Sequence, residues 1–311
     1  MPNAELARAV LFTTPFVALF GACLGSFLNV CIYRIPLGLS VVHPRSRCCA
    51  CGHPIPWYLN IPMLSWFMLR GRCRDCQAPI AFRYPLVEGL TAALFLLVWL
   101  QYVSALFMPG LAADWQPVDS LMKTPPVRGG LLNLVPILTP WLVPIHWLAI
   151  FGLLLGTFVD LDHYILPDRV TIGGMILGLA LSPLVPLLHG TDLPLTALMR
   201  AGIGCAVGFG SLWLVATLGS LAFRKEAMGF GDVKLMGAVG AFLGWQSVVF
   251  TIIVSSFLGS LVGIALILAG KRQMQGRIPY GPFIAAAAMI WIFWGPLLFN
   301  LYTRAIFPPL P

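Results

Sequence analysis

Two short stretches of the chain carry carboxylates beside long apolar runs. One is Gly229-Phe-Gly-Asp-Val-Lys234, just before the run that starts at Leu235; the other is Asp160-Leu-Asp-His163, followed by Asp168. A carboxylate at such a place is costly unless it is paired, hydrated or used. Two neighbouring carboxylates cannot both ionise cheaply, so they share a proton. One can then take a proton from water while the other, protonated, polarises a scissile carbonyl. Such a pair hydrolyses a peptide without an acyl-enzyme. The glycines beside Asp232 let the backbone bend and a substrate strand come close. Neither a serine or cysteine nucleophile arrangement nor an H-E-x-x-H motif occurs. The ordinary alternative is that acids at helix ends are solvated or pair with a helix dipole. Asp162 and Asp168 suit loop solvation, hydrogen bonding or N-capping, since Asp168 follows Pro167. His163 suits an interfacial side chain, and Lys234 either tunes the acids or is an ordinary membrane-edge lysine.

A second cluster is made of sulfur. Cys48-x-x-Cys51 and Cys73-x-x-Cys76 form two knuckles in one hydrophilic segment. Four thiolates in this arrangement suit a tetrahedral, structural Zn²⁺ with no open position for water. Cys49 is an extra thiol that could replace Cys48, and His53 is a further candidate. Disulfides are the alternative, but a cytoplasmic segment keeps its thiols reduced. A segment of this kind has little apolar core, so the metal would supply its folding energy. Cys23, Cys31 and Cys205 lie in apolar runs and read as small core residues.

The elements that position these groups are membrane helices. Of 311 residues, 59% are hydrophobic and 10% charged, which fits neither a soluble domain nor a disordered chain. Uncharged runs occupy 9–33, 89–113, 129–159, 170–191, 201–223, 235–270 and 278–303. Each exceeds the ~20 residues that cross a bilayer. The first has a thin charged flank (Glu5, Arg8), a long core and no A-x-A site, so it is not expected to be a cleaved signal. Residues 114–130 read as a polar, Pro-rich loop.

The net charge of +8 could suggest nucleic acid, but its placement points to a membrane. Arg34, Arg45, Arg47, Arg70, Arg72, Arg74 and Arg83 share the first hydrophilic segment, and Arg224, Lys225, Lys234, Lys271, Arg272 and Arg277 follow in later loops. A cytoplasmic first segment sorts them mostly inside; Arg8, Lys123, Arg128, Arg200 and Arg304 stay outside. For Lys271–Arg277 to fall inside, the run 235–270 must cross twice, with Gly240 and Gly244 as the re-entry point. The expected architecture is all-α and polytopic, with about eight transmembrane helices and a small zinc-binding cytoplasmic domain between the first two. Residues 1–33 form the first helix, 34–88 the zinc domain and 89–311 the remaining membrane domain. Counting crossings puts Asp160, Asp232 and the cysteines on one side.

"GFGDVK" resembles the GxGD signature of membrane aspartic peptidases. "GSFLNVCIYRIP" (25–36), "NIPMLSWFMLRGRCRDC" (60–76), "FRYPLVE" (82–88), "DLDHYILPD" (160–168) and "IPYGPFIA" (278–285) are similar to the bacterial prepilin leader peptidase/N-methyltransferases. The resemblance covers almost the whole chain in the same order. It implies an inner-membrane enzyme that removes the short basic leader from type IV prepilins and the pseudopilins of type II secretion. The same enzyme would then methylate the new amino terminus with S-adenosylmethionine. Asp160 and Asp232 match the catalytic aspartates, and the knuckles match the family's cytoplasmic four-cysteine domain. Cys49 between them is a departure.

No strand followed by G-x-G-x-x-G marks a cofactor site. Gly25, Phe27, Asn29 and Arg34 match the first family motif and Glu88 the third. They are candidates for cofactor binding or leader docking, with helix packing or interfacial hydrogen bonding as the alternative. A basic leader suits acids such as Asp162, Asp168 or Glu226, which could equally pair with Arg169, Arg224 or Lys225. The arginines suit an anionic lipid surface. No nucleic acid is expected. Two other readings compete: a zinc-dependent membrane hydrolase with structural aspartates, and a transporter with paired acids, which would place polar groups along several spans.

Overall fold

The computed structural model describes residues 2–107, 135–225, 228–269 and 278–306. The polar loop 114–130, Glu226 and the basic stretch Lys271–Arg277 lie outside the described residues. So do parts of the runs 89–113 and 129–159. Eight α-helices follow in chain order: α1 (Pro2–Arg34), a short α2 (Leu64–Met68), α3 (Arg83–Phe107), α4 (Val135–His163), α5 (Asp168–Leu184), α6 (Pro194–Phe223), α7 (Phe230–Leu268) and α8 (Gly281–Ile306). Among the described residues, β-structure is limited to two isolated bridges. Five helices are long and apolar enough to cross a membrane, and α5 and the apolar stretch Gly281–Gly295 are shorter. In hydrocarbon a chain must satisfy its own backbone groups, and helices do so within one segment. The protein is an all-α polytopic membrane protein.

The chain divides into two compact units, Met1–Phe107 and Met108–Pro311. In the first, α3 lies along α1. Gly21 and Gly25, four residues apart, put α1 against the α3 backbone: a Cβ on Gly21 would lie 2.8 Å from Ala92 Cα, and one on Gly25 2.6 Å from Glu88 Cα. Membrane helices associate through such small-residue faces because lipid removes the usual hydrophobic drive. Glu88 therefore sits in the second turn of α3, on the seam with α1.

The second unit uses the same device around α7. Gly174 and Gly178 of α5 meet Ala238 and Ala241 of α7, while Gly204 and Gly208 of α6 meet the backbone at Gly240 and Met236. Helix α7 itself breaks at Gly244 (φ 81, ψ 171), a region open essentially to glycine alone. Val248 Cγ2 lies 3.0 Å from where a Cβ on Gly240 would stand. A continuous helix would hold residues eight apart about 12 Å from each other. The chain therefore doubles back, and α7 is two arms, 230–243 and 245–268. A break falls within the run 235–270 as expected, at Gly244, with Gly240 used for packing. Counted by arms and leaving out α2, the described residues hold eight helices, of which the first arm of α7 and α5 are the shortest.

His189 closes the underside of this turn. Its Nε2 lies 2.9 Å from Ser182 Oγ, and its ring hydrogen-bonds the backbone of Ala241, four residues before Trp245. The break deprives that backbone of its helical partner, and the ring replaces it. Burial pushes His189 down to about 4, so the ring stays neutral at physiological pH.

Candidate active site

Asp160 lies in the last turn of α4 and Asp232 in the first turn of α7, and both are buried. They are electrostatic neighbours, although 72 residues of chain separate them. Three glycines make this possible. The N–H of Gly281, at the start of α8, donates to Asp160 Oδ2 at 3.0 Å. A Cβ on Gly281 would stand 2.7 Å from the same oxygen, so no larger residue fits without displacing the carboxylate. Gly229 precedes α7 with its carbonyl accepting the Asp232 N–H at 3.1 Å, and Gly231 faces Leu166.

The remaining polar groups of these stretches take distinct places. Asp162 and His163 are exposed. Asp168 does not cap α5: the cap position is Pro167, and Asp168 instead accepts a hydrogen bond from Lys234 Nζ at 2.6 Å. The same ammonium lies 5.2 Å from the centre of the Phe230 ring. Lys234 thus ties the start of α7 to the start of α5. Sequence reasoning gave no role to Gly281, Tyr280 or Leu166. Tyr280 places its hydroxyl 2.7 Å from Ser255 Oγ and 3.3 Å from Ser256 Oγ on the second arm of α7, beside the glycine that binds Asp160. The only signals were the "DLDHYILPD" and "IPYGPFIA" motifs, read as resemblance and not as chemistry.

Each acid lies at the mouth of its own helix, but not level with the end of α6. The antiparallel contacts Gly204–Gly240 and Gly208–Met236 set Asp232 beside about residue 212 of α6. Helix α6 continues to Phe223 through Trp213, Leu214, Leu218 and Leu221, all exposed and apolar. At 1.5 Å per residue this is about 15 Å of apolar helix beyond the acids. The cause is the short first arm of α7, which begins well below the end of its neighbour. The acids therefore stand about three turns short of the end of α6.

The cysteine segment forms a separate centre in the first unit. Sulfurs of Cys48, Cys51, Cys73 and Cys76 all lie within 4.8 Å of one another, and Cys48 and Cys76 are 3.8 Å apart. A tetrahedron with Zn–S of about 2.3 Å has sulfur–sulfur edges of about 3.8 Å, so the cluster fits a structural zinc site. The two knuckles share one backbone pattern. Cys48 N–H donates to His53 O and Gly52 N–H to Cys48 O; likewise Cys73 N–H donates to Ala78 O and Gln77 N–H to Cys73 O. Gly52 and Gln77 both take positive φ, 71° and 57°. Cys49 is exposed and outside the cluster, which leaves Cys48 as the ligand candidate. His53 instead faces Asp75 at 4.0 Å.

The sulfurs are unequal. Backbone hydrogen bonds from Cys51 and Ala50 bring Cys48 down to about 6. Cys76 receives a backbone hydrogen bond from Ala78, yet desolvation and the neighbouring sulfurs push it up to about 12. Crowded thiolates need a cation, and metal binding releases their protons. Chelation of metal from the intact membrane protein is expected to open this segment. Trypsin should then cut between Arg45 and Arg74, where the metal-loaded protein resists; equal resistance after chelation would rule out a folding role for metal. Four sulfurs close the coordination shell, so the cluster offers no position for a catalytic water, and the zinc-hydrolase reading loses its site.

The five cofactor candidates are not brought to one point. Gly25 serves the α1–α3 contact and Phe27 is exposed. Arg34 donates to the Ser40 and Pro44 carbonyls, fixing the chain as it leaves α1. Asn29 and Glu88 are the buried polar pair on the seam. Asn29 Nδ2 donates to Tyr84 O at 3.1 Å, and Glu88 Oε2 accepts the Met63 N–H at 2.6 Å. Met63 is held at φ 58, ψ −51, with Leu64 N–H reaching Pro62 O, the geometry of a strained γ-turn.

Comparison with known proteins covers both units. The family described as Bacterial Peptidase A24 N-terminal domain matches residues 19–102, and the Type IV leader peptidase family matches residues 147–264. A prepilin leader peptidase/N-methyltransferase of Myxococcus xanthus is 40% identical over 301 residues, covering 95% of this chain and 76% of that protein. Proteins of the same name from Aeromonas hydrophila and Legionella pneumophila are 36% and 31% identical, with 92% and 97% of this chain covered and 92% and 98% of theirs. No solved structure matches. The similarity runs through the helices that carry the acids and the segment that carries the cysteines, and the chain belongs to the prepilin leader peptidase/N-methyltransferase family.

Proposed function

We propose that the protein cleaves the leader peptides of type IV prepilins and type II secretion pseudopilins and then N-methylates the new amino terminus. The observation that carries the proteolytic half is the juxtaposition of Asp160 and Asp232. An N–H donor suits an ionised carboxylate, so Asp160 takes the proton of the attacking water. Asp232 holds the shared proton and gives it to the scissile carbonyl oxygen. Asp160 then passes the water's proton to the leaving nitrogen, and Asp232 recovers its own from a hydroxyl of the tetrahedral adduct. The adduct collapses to a carboxyl group on the leader and a free amine on the mature protein. Asp162, exposed two residues after Asp160, is an acid that suits a short basic leader.

In this reading the enzyme sits in the bacterial inner membrane with the acids and the cysteine segment toward the cytoplasm. Residues 1–33 anchor it, 34–88 bind Zn²⁺ and 89–311 hold the peptidase. Arg45, Arg47, Arg70, Arg72 and Arg74 suit anionic lipid headgroups. Cys48, Cys51, Cys73 and Cys76 would hold the metal, which crosslinks a segment that has little core of its own. S-adenosylmethionine supplies an electrophilic methyl group when bound, and Asn29 and Glu88 are the buried polar groups suited to its site.

The test is membranes carrying the protein, given a prepilin with its leader and labelled S-adenosylmethionine. Leader release together with label on the mature amino terminus is expected. An intact prepilin with unlabelled product would reject the reading, and cleavage without label would confine it to proteolysis.

A further inference from the structure

The link between α4 and α5 packs against the segments that carry the two aspartates. Its Leu166 side chain touches the flanking glycine of each acid. Leu166 Cβ lies 2.9 Å from where a Cβ on Gly231 would stand, immediately before Asp232. Leu166 Cδ2 lies 3.4 Å from the equivalent point on Gly281, whose N–H holds Asp160, and 3.2 Å from that on Gly156, one turn before Asp160. One half-buried side chain therefore spans α4, α7 and α8 at the level of the pair. Both ends of the link are fixed. Tyr164 N–H donates to Asp160 O at 2.9 Å with Tyr164 at φ 56, and two residues after Leu166 the Asp168 carboxylate takes the Lys234 ammonium at 2.6 Å.

We propose that Leu166 is the spacer of the aspartate pair, setting the gap between Asp160 and Asp232, and that the Asp168–Lys234 ion pair is the clasp that holds it in place. Both are positioning residues: neither reaches the reacting atoms, and each acts through the backbone that carries a catalytic acid. The assignment rests on the reading of Asp160 and Asp232 as the catalytic pair. Three surfaces meet on this side chain. Shortening it therefore lets α4, α7 and α8 close unevenly, and the acids lose the spacing that accommodates a water and a peptide carbonyl. Misplacement by about 1 Å is enough to cost about a hundredfold in rate. The exposed end of the clasp matters less for stability, because solvent screens it, than for the direction in which it pulls the link.

The test uses the full-length enzyme in membranes and a prepilin substrate, with kcat and KM measured separately and Asp160→Asn as the reference. Leu166→Ala should lower kcat by about ten- to a hundredfold with KM little changed. Leu166→Met, which conserves volume, should restore most of kcat. Asp168→Asn, Lys234→Met and the double variant should share one and the same smaller loss, since breaking either side breaks the clasp. If Leu166→Ala does not accumulate, Leu166→Val gives the graded version, with an intermediate kcat expected. An unchanged kcat in Leu166→Ala or Leu166→Val, a loss confined to KM, or a loss in Leu166→Met as deep as in Leu166→Ala would overturn the spacer. Asp160→Asn separates the two levels: if it is inactive while Leu166→Ala is normal, only the spacer fails. If Asp160→Asn itself cleaves, the reading beneath it fails.

Discussion

Asp160→Asn and Asp232→Asn are each expected to lower leader cleavage by about a thousandfold or more, with the protein still folded in the membrane. Each amide keeps the size and most hydrogen-bonding capacity of the acid, so packing survives. In Asp160→Asn the amide oxygen can still accept the Gly281 N–H, and the geometry of that contact is retained. What is lost is proton transfer: an amide neither takes a proton from water nor gives one to a carbonyl. Methylation of a substrate whose leader is already removed is expected to persist in both variants, because the proposed methyl-donor groups Asn29 and Glu88 lie in the first unit and both aspartates in the second. Full-rate cleavage by either variant would refute the paired-acid mechanism.

Gly281→Ala carries the second large effect. The Gly281 nitrogen binds Asp160 and the space around its α-carbon is already taken. An added methyl would stand 2.7 Å from Asp160 Oδ2, too close to stay there, with Leu166 Cδ2 already in contact at 3.4 Å. Either the start of α8 retreats or the carboxylate turns away, and in both cases the N–H···O contact opens. A loss of about a hundredfold in cleavage is expected, with substrate binding less affected. Gly263, on the second arm of α7, is the control: its nearest neighbour is Ile278 Cδ1 at 3.6 Å, so Gly263→Ala should cleave normally. Normal cleavage by Gly281→Ala would mean that this contact does not orient Asp160.

The sequence made some of this legible and hid the rest for physical reasons. Hydrophobic runs reveal spans because lipid demands uncharged helix, and a break within 235–270 was legible from the length of the run plus Gly240 and Gly244. Which glycine turns the chain was not, because only the backbone angles separate Gly244, in a region closed to other residues, from Gly240, which packs against Gly204. The four cysteines were readable from spacing alone. The exclusion of Cys49 needed coordinates, since adjacent residues point different ways and spacing does not choose between them. Asp160 and Asp232 stood out as candidates because charge beside apolar runs is conspicuous. Leu166, Tyr280 and Gly281 were not, because a leucine, a tyrosine and a glycine at helix ends are individually ordinary. Their roles exist only through contacts with residues far away in the chain. The depth of the acids was hidden as well, since it depends on the register of α6 against α7 and not on where either begins.

The central claim is that Asp160 and Asp232 act as one unit, and a double-mutant cycle tests it most directly. Single-turnover leader cleavage would be measured for the parent, Asp160→Asn, Asp232→Asn and the double variant in the same membranes. Residues that share one proton are predicted to show no additivity, with both single variants already at the low rate of the double variant. A double variant slower than the singles by the product of their separate losses would show that the two aspartates work independently, and would contradict the account.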